Sequence, residues 1–78
     1  MTYTKHETEA AKWLTRASKT PDAGAHIAYL REAREHLYNA EVGLVTELRE
    51  LGWAWSKIGA MFGMSKQAAW EKWGGLEA

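Results

Sequence analysis

The 78-residue chain has no cysteine, which excludes disulfides and thiolate metal sites and suits a reducing compartment. It has a single proline, Pro21, so the helical periodicity has one strong break. No segment alternates apolar and polar residues in the manner of a strand. No uninterrupted apolar run approaches the ~20 residues that a membrane-crossing helix needs, and the opening stretch MTYTKHETEA carries acids where a secretory signal would be apolar. These absences predict a soluble, cytoplasmic protein with no membrane partner. Net charge is missing too: ten basic side chains cancel ten acidic ones, and the balance is even on both sides of residue 43. Phosphate neutralisation supplies most non-specific affinity for nucleic acid, so a neutral chain binds it weakly unless its charges are segregated in space.

Catalytic equipment is also lacking. There is no cysteine nucleophile, no pair of carboxylates set for a substrate cleft and no phosphate-binding loop. The three histidines, His6, His26 and His36, lack metal-ligand spacing and share no helix face with a catalytic acid, so they read as surface groups. The expectation is a non-enzyme without metal or cofactor.

What is present is apolar and helical. Hydrophobic residues make up 46% of the chain, with five tryptophans among them; these give a small domain the area a core or interface needs. Ala10, Trp13, Leu14 and Ala17 recur at spacings of three and four, predicting a helix over about residues 5–18. Thr20-Pro21-Asp22 has the form of a helix start, with a capping hydroxyl, proline at the first position and an acid at the positive dipole end. A long helix toward Gly52 follows, with Leu30, Ala33, Leu37, Ala40, Leu44, Leu48 and Leu51 in the three–four rhythm and Ile27, Tyr38, Val42 and Val45 on a flanking stripe. An apolar face this broad calls for two neighbours. Gly43 interrupts it at a cost of roughly 1 kcal/mol relative to alanine and marks a kink or a close crossing. Gly52 has the position of a C-terminal cap. Two short helices, about residues 54–62 and 66–73, precede a loose tail, GGLEA. The predicted fold is all-α and single-domain over residues 1–78: a helical hairpin with a long central helix over 1–43, then a helix-turn-helix over 44–78.

In the stretch IGAMFGMSKQAAWEKW each residue type has a mechanical task. Ile58, Phe62 and Met64 supply the inner apolar contacts, and Gly59 lacks a side chain where two helices cross closely. Gly63 permits the left-handed turn that ends the first short helix. Ser65 caps the second, and Ala69 is small at the crossing. This is the geometry of a helix-turn-helix, whose second helix enters the major groove. The segment GWAWSKIGAMFGMSKQAAW resembles the helix-turn-helix of small bacterial and phage DNA-binding proteins. It is similar as well to the promoter-reading region of sigma factors and to the DNA-binding tails of resolvases and transposases. The resemblance covers about residues 44–73. It departs from the pattern in having Ala54 where the family places a capping side chain, and Lys72 where an apolar residue is common, so that Trp73 takes over that packing.

On a helical wheel Ala69 and Trp73 face inward, while Lys66, Gln67, Trp70 and Glu71 form the opposite arc. The resemblance implies that this arc meets base edges, with Gln67 suited to bidentate pairing with adenine and Lys66 reaching guanine or phosphate. Ser56, Lys57, Ser65 and Lys72 are the expected phosphate contacts, helped by backbone N–H groups at the helix starts. Trp70 either meets a thymine methyl or folds partly against the core; Trp13, Trp53, Trp55 and Trp73 read as core. The expected function is sequence-specific binding of double-stranded DNA, as a transcriptional regulator of a bacterium or phage. The alternatives are a protein–protein adaptor that docks on RNA polymerase or another regulator, and a subunit of a phage assembly. With Arg49, Lys57, Lys66 and Lys72 as the only cations of the C-terminal part, one copy neutralises about four phosphates at most. A homodimer formed by residues 5–45, using Ile27, Tyr38, Val42 and Val45, is therefore expected to set two recognition helices on half-sites one helical turn apart.

Overall fold

The structure, a computed structural model, describes the backbone of residues 2–77 and the side chains of residues 3–75. In chain order it contains α1 (Thr2–Lys19), α2 (Ala23–Glu50), α3 (Trp55–Met61), α4 (Lys66–Trp73) and a 3-10 turn over Gly74–Glu77, with no strand among the described residues. The fold is all-α. The tail expected to be loose is thus a 3-10 turn up to Glu77, and Ala78 lies outside the described residues. Two compact units divide the chain, Met1–Glu41 and Val42–Ala78. The helix α2 contributes to both and continues through Gly43, which does not split it.

In the first unit the helix start after Pro21 differs from the expected one. The carboxylate of Asp22, not the hydroxyl of Thr20, caps α2: Oδ2 accepts from the Ala25 N–H at 2.7 Å. A carboxylate at the positive end of a helix gains both the hydrogen bond and the dipole interaction. Thr20 instead finishes α1, its N–H donating to the Ala17 carbonyl at 3.3 Å.

The hairpin core is built from alanines. Ala10 and Ala17 of α1 and Ala33 and Ala40 of α2 are buried, each pair seven residues apart and so on one face of its helix. Aromatic rings flank them: His6 stacks on His36 with centroids 5.8 Å apart, and Trp13 lies 5.7 Å from Tyr29. The expectation of surface histidines is therefore corrected. His6, His26 and His36 are all half-buried, and the Nδ1 atoms of His6 and His36 are buried without a hydrogen-bond partner. The leucines change places with them: Leu14, Leu30 and Leu37 are exposed. Methyl side chains let two helices approach closely, and this selects the alanine face over the leucine face.

The second unit buries Val45 of α2, Trp55 and Ile58 of α3, and Ala69 and Trp73 of α4, with Val42, Leu48, Trp53, Phe62 and Met64 packed around them. Val42 and Val45, expected at a dimer interface, belong to this core, because α3 and α4 supply the second neighbour that the broad face of α2 required. Gly52 ends α2 with φ of 89°. The Gly52 N–H donates to the Arg49 carbonyl and the Trp53 N–H to the Leu48 carbonyl, both at 3.0 Å, which is the Schellman pattern. Ala54 then occupies the N-cap of α3 in extended conformation, with no side-chain hydrogen bond to the helix start. Introducing a hydroxyl there, Ala54→Ser, is expected to stabilise the protein by about 0.5–2 kcal/mol. A rise in the urea midpoint at unchanged m-value checks it.

Candidate functional site

The site is the turn between α3 and α4 together with the outer face of α4. Its shape depends on two glycines with different tasks. Gly63 follows Phe62, the C-cap of α3, with φ of 75°. Its N–H donates to the Ala60 carbonyl at 3.2 Å, and the Met64 N–H to the Gly59 carbonyl at 2.8 Å, repeating the Schellman pattern found at the end of α2. Gly59 lies inside α3 where the turn folds back upon it. A Cβ at this position would sit 2.8 Å from the Ser65 carbonyl oxygen and 2.9 Å from that of Met64. Both obstacles are backbone atoms, so only a shift of the turn could relieve the contact.

Ser65 fixes the start of α4. Its hydroxyl oxygen accepts from the Ala68 N–H at 3.0 Å, as its N-cap position requires. From that start the helical period puts Ala69 and Trp73 inward, where both are fully buried, and Trp73 tilts against Phe62 with centroids 4.8 Å apart. Lys66, Gln67, Trp70 and Glu71 share the exposed side of α4. The Gln67 side-chain amide donates to Oε1 of Glu71 at 3.0 Å, which orients the amide and leaves its carbonyl oxygen and second N–H for another partner. Trp70 is 53% exposed, with its indole lying over the backbone at Gly74.

The remaining candidates are arranged around this arc. Ser56 and Lys57 are exposed in the first turn of α3, and the Lys57 ammonium lies 4.0 Å from the centroid of the Trp53 ring. Lys72, exposed in the last turn of α4, holds its ammonium 4.9 Å from the buried Trp73 ring. Such cation–π contacts position the side chain while leaving its charge intact. Arg49 has a task that the sequence counted only as charge. Its Nη1 donates to the Trp53 carbonyl at 2.7 Å, and its guanidinium lies 4.8 Å from the Trp55 ring. It therefore clamps the turn between α2 and α3. The contacts form through the turn itself, which the spacing of these residues does not signal.

Among the described residues no group of three or more metal-ligating side chains comes together, and no helix is long and apolar enough to cross a membrane. No protein-family model, curated protein or solved structure matches this chain.

The two glycines make separable predictions. Gly63→Ala is expected to cost about 1–2 kcal/mol through left-handed strain. Gly59→Ala is expected to cost about 1–3 kcal/mol through overpacking, and it alone displaces α4. Chemical denaturation measures both losses. Tryptophan fluorescence of the folded variants reports displacement of Trp73, changing for Gly59→Ala and not for Gly63→Ala.

Proposed function

We propose that the chain binds double-stranded DNA through α3 and α4, with α4 in the major groove, and acts as a transcriptional regulator. The observation that carries this reading is the exposed arc of Lys66, Gln67, Trp70 and Glu71 on a short helix whose opposite face is fully buried. A helix with its side chains is about 10–12 Å across, and the major groove is about 12 Å wide. Gln67, held by Glu71, supports adenine recognition, and Lys66 supports guanine or phosphate contact. The first turn of α4 contains no acid and begins with Lys66, a cation where the helix dipole favours an anion. That local cost is offset if a phosphate arrives between the lysine and the helix start. Ser56, Lys57, Ser65 and Lys72 are the proposed phosphate contacts.

The neutral chain argues for two copies acting together, since four cations per C-terminal unit give a salt dependence far below that of a strong single-site binder. A second reading is favoured by apolar exposure in the same unit. Leu51 and Met61 are well exposed in addition to Trp70, a composition that suits a protein surface such as that of RNA polymerase or another regulator.

Selection from a random duplex pool separates the two readings. A defined site should emerge with the unaltered chain, and Gln67→Ala should lose discrimination at one or two base pairs, costing about 1–3 kcal/mol at that site. Lys66→Ala should weaken binding across many sequences. Each protein copy should contribute a log–log salt slope of roughly −3 to −4. A pool that yields no enriched sequence removes DNA as the partner of α4.

A further inference from the structure

The two ring contacts of the hairpin define its sides. His6 stacks on His36 and Trp13 lies beside Tyr29, so all four rings sit on one side of the alanine seam. The following residue on a helix is turned by about 100°, which carries it from that side across the seam to the other. The four residues so placed are Glu7, Leu14, Leu30 and Leu37. All are exposed, the three leucines by 45%, 42% and 46%. Arg34, next after the buried Ala33, borders the same side and is exposed as well. One side of the hairpin is thus closed by aromatic rings, while the other leaves leucines of both helices in water. A chain this small buries little apolar surface for its size, a deficit that association corrects.

Height along the hairpin decides what covers the leucine side. The ring contacts set residue 6 level with 36 and residue 13 level with 29. Glu7 is therefore level with position 35, within one residue (about 1.5 Å) of Arg34. Neither Glu7 nor Arg34 is engaged in an ion pair among the described residues. Two copies meet face to face about a two-fold axis in either of two ways. An axis across the helices sets α1 on α1 and α2 on α2, so Glu7 and Arg34 lie on helices that do not meet. An axis along the helices sets α1 of each copy on α2 of the other at equal height, and Glu7 then meets Arg34 twice. We propose that the leucine side of the hairpin is a homodimer interface, formed by a second copy about an axis along the helices, with the leucines at its centre and reciprocal Glu7–Arg34 contacts fixing the register. The product is a four-helix bundle in which every adjacent pair is antiparallel. Thr2, the first residue of α1, is level with position 40, so the interface ends before Val42, where α2 enters the C-terminal core. The inference depends on the hairpin alone and stands whether or not α4 meets DNA.

Sedimentation equilibrium of the full chain at micromolar concentration, with far-UV circular dichroism on the same samples, tests it. The unaltered chain should be a dimer. Glu7→Arg and Arg34→Glu should each raise the dissociation constant about tenfold or more at unchanged helicity, because like charges then meet twice. Mixing the two single variants should restore a dimer, since both contacts between the unlike chains are again favourable; a pair within one chain could not be restored by mixing. Because the chain has no native cysteine, introduced thiols give a reading that needs no charge change. Leu14 is level with position 28, about 3 Å in height from Leu30, so Leu14→Cys mixed with Leu30→Cys should oxidise to a covalent dimer of the two variants. Leu30→Cys alone should not, since the two α2 helices are diagonal in the bundle and stand roughly 11–14 Å apart, beyond disulfide reach. A monomer at tens of micromolar, a mixture of the charge variants that stays dissociated, or a covalent dimer from Leu30→Cys alone would each overturn the proposal.

Discussion

Burial of Trp73 is the contact on which the C-terminal unit depends. Removing an indole of roughly 150–250 Å² from water is worth about 4–6 kcal/mol at 25 cal/mol per Å², a large share of what so small a unit can gather. Trp73 lies against Phe62 in a core that also holds Ile58, Ala69, Trp55 and Val45. Its indole N–H is buried without a hydrogen-bond partner, so the packing gain is net of an unmet donor. Position 73 also fixes the rotation of α4 about its own axis. Once Trp73 and Ala69 are inward, a period of 3.6 residues turns Gln67 and Glu71 outward, while Lys66, seven residues before Trp73, is exposed as the first residue of the helix. The exposed arc thus follows from a packing decision made at the far end of the helix.

This half of the molecule was legible from its residues because its signals are local. Gly63 followed two residues later by Ser65 specifies a left-handed stop and a hydroxyl start, and both are found where the pattern puts them. Gly59 was legible as a close crossing, and the crossing is against the backbone of the turn itself. What could not be read was the use of the cations. The clamp formed by Arg49 and the placement of Lys57 over Trp53 arise from loop geometry that no periodicity encodes. The link between Gln67 and Glu71 is an ordinary (i, i+4) neighbour relation, visible in spacing once the helix is granted.

The hairpin was legible as two helices and misread as to faces. Periodicity reports that an apolar stripe exists; it does not say which of two adjacent stripes meets the neighbouring helix. The expected stripe held leucines and alanines together, yet Ala33 and Ala40 are buried while Leu30 and Leu37 are exposed. Small side chains permit close helix packing and the dispersion that comes with it, an advantage invisible when residues are ranked one at a time by hydrophobicity. The same rotation brings His6 onto His36 and draws both away from the surface. Asp22 in place of Thr20 at the helix cap is a smaller case, in which two good capping residues two positions apart compete and the carboxylate prevails.

Charge neutrality then acquires a physical meaning. A chain with an excess of cations holds polyanions by counterion release, whatever their sequence and however its side chains are arranged. With ten charges of each sign this chain gains little of that affinity unless its charges are segregated in space. Any tight partner must be matched by shape and by individually placed groups, a regime in which geometry contributes more to discrimination than to bulk affinity. The cations of the C-terminal unit are arranged accordingly. Arg49, Lys57 and Lys72 each rest on an aromatic ring, so less side-chain freedom remains to be lost when a ligand arrives. Aromatic residues in this sequence therefore act twice, Trp53, Trp55 and Trp73 building the core from one side and steadying a charge from the other. A small domain with few charges gains more from fixing the ones it has than from adding others, because each added cation would enlarge indiscriminate binding along with the specific kind.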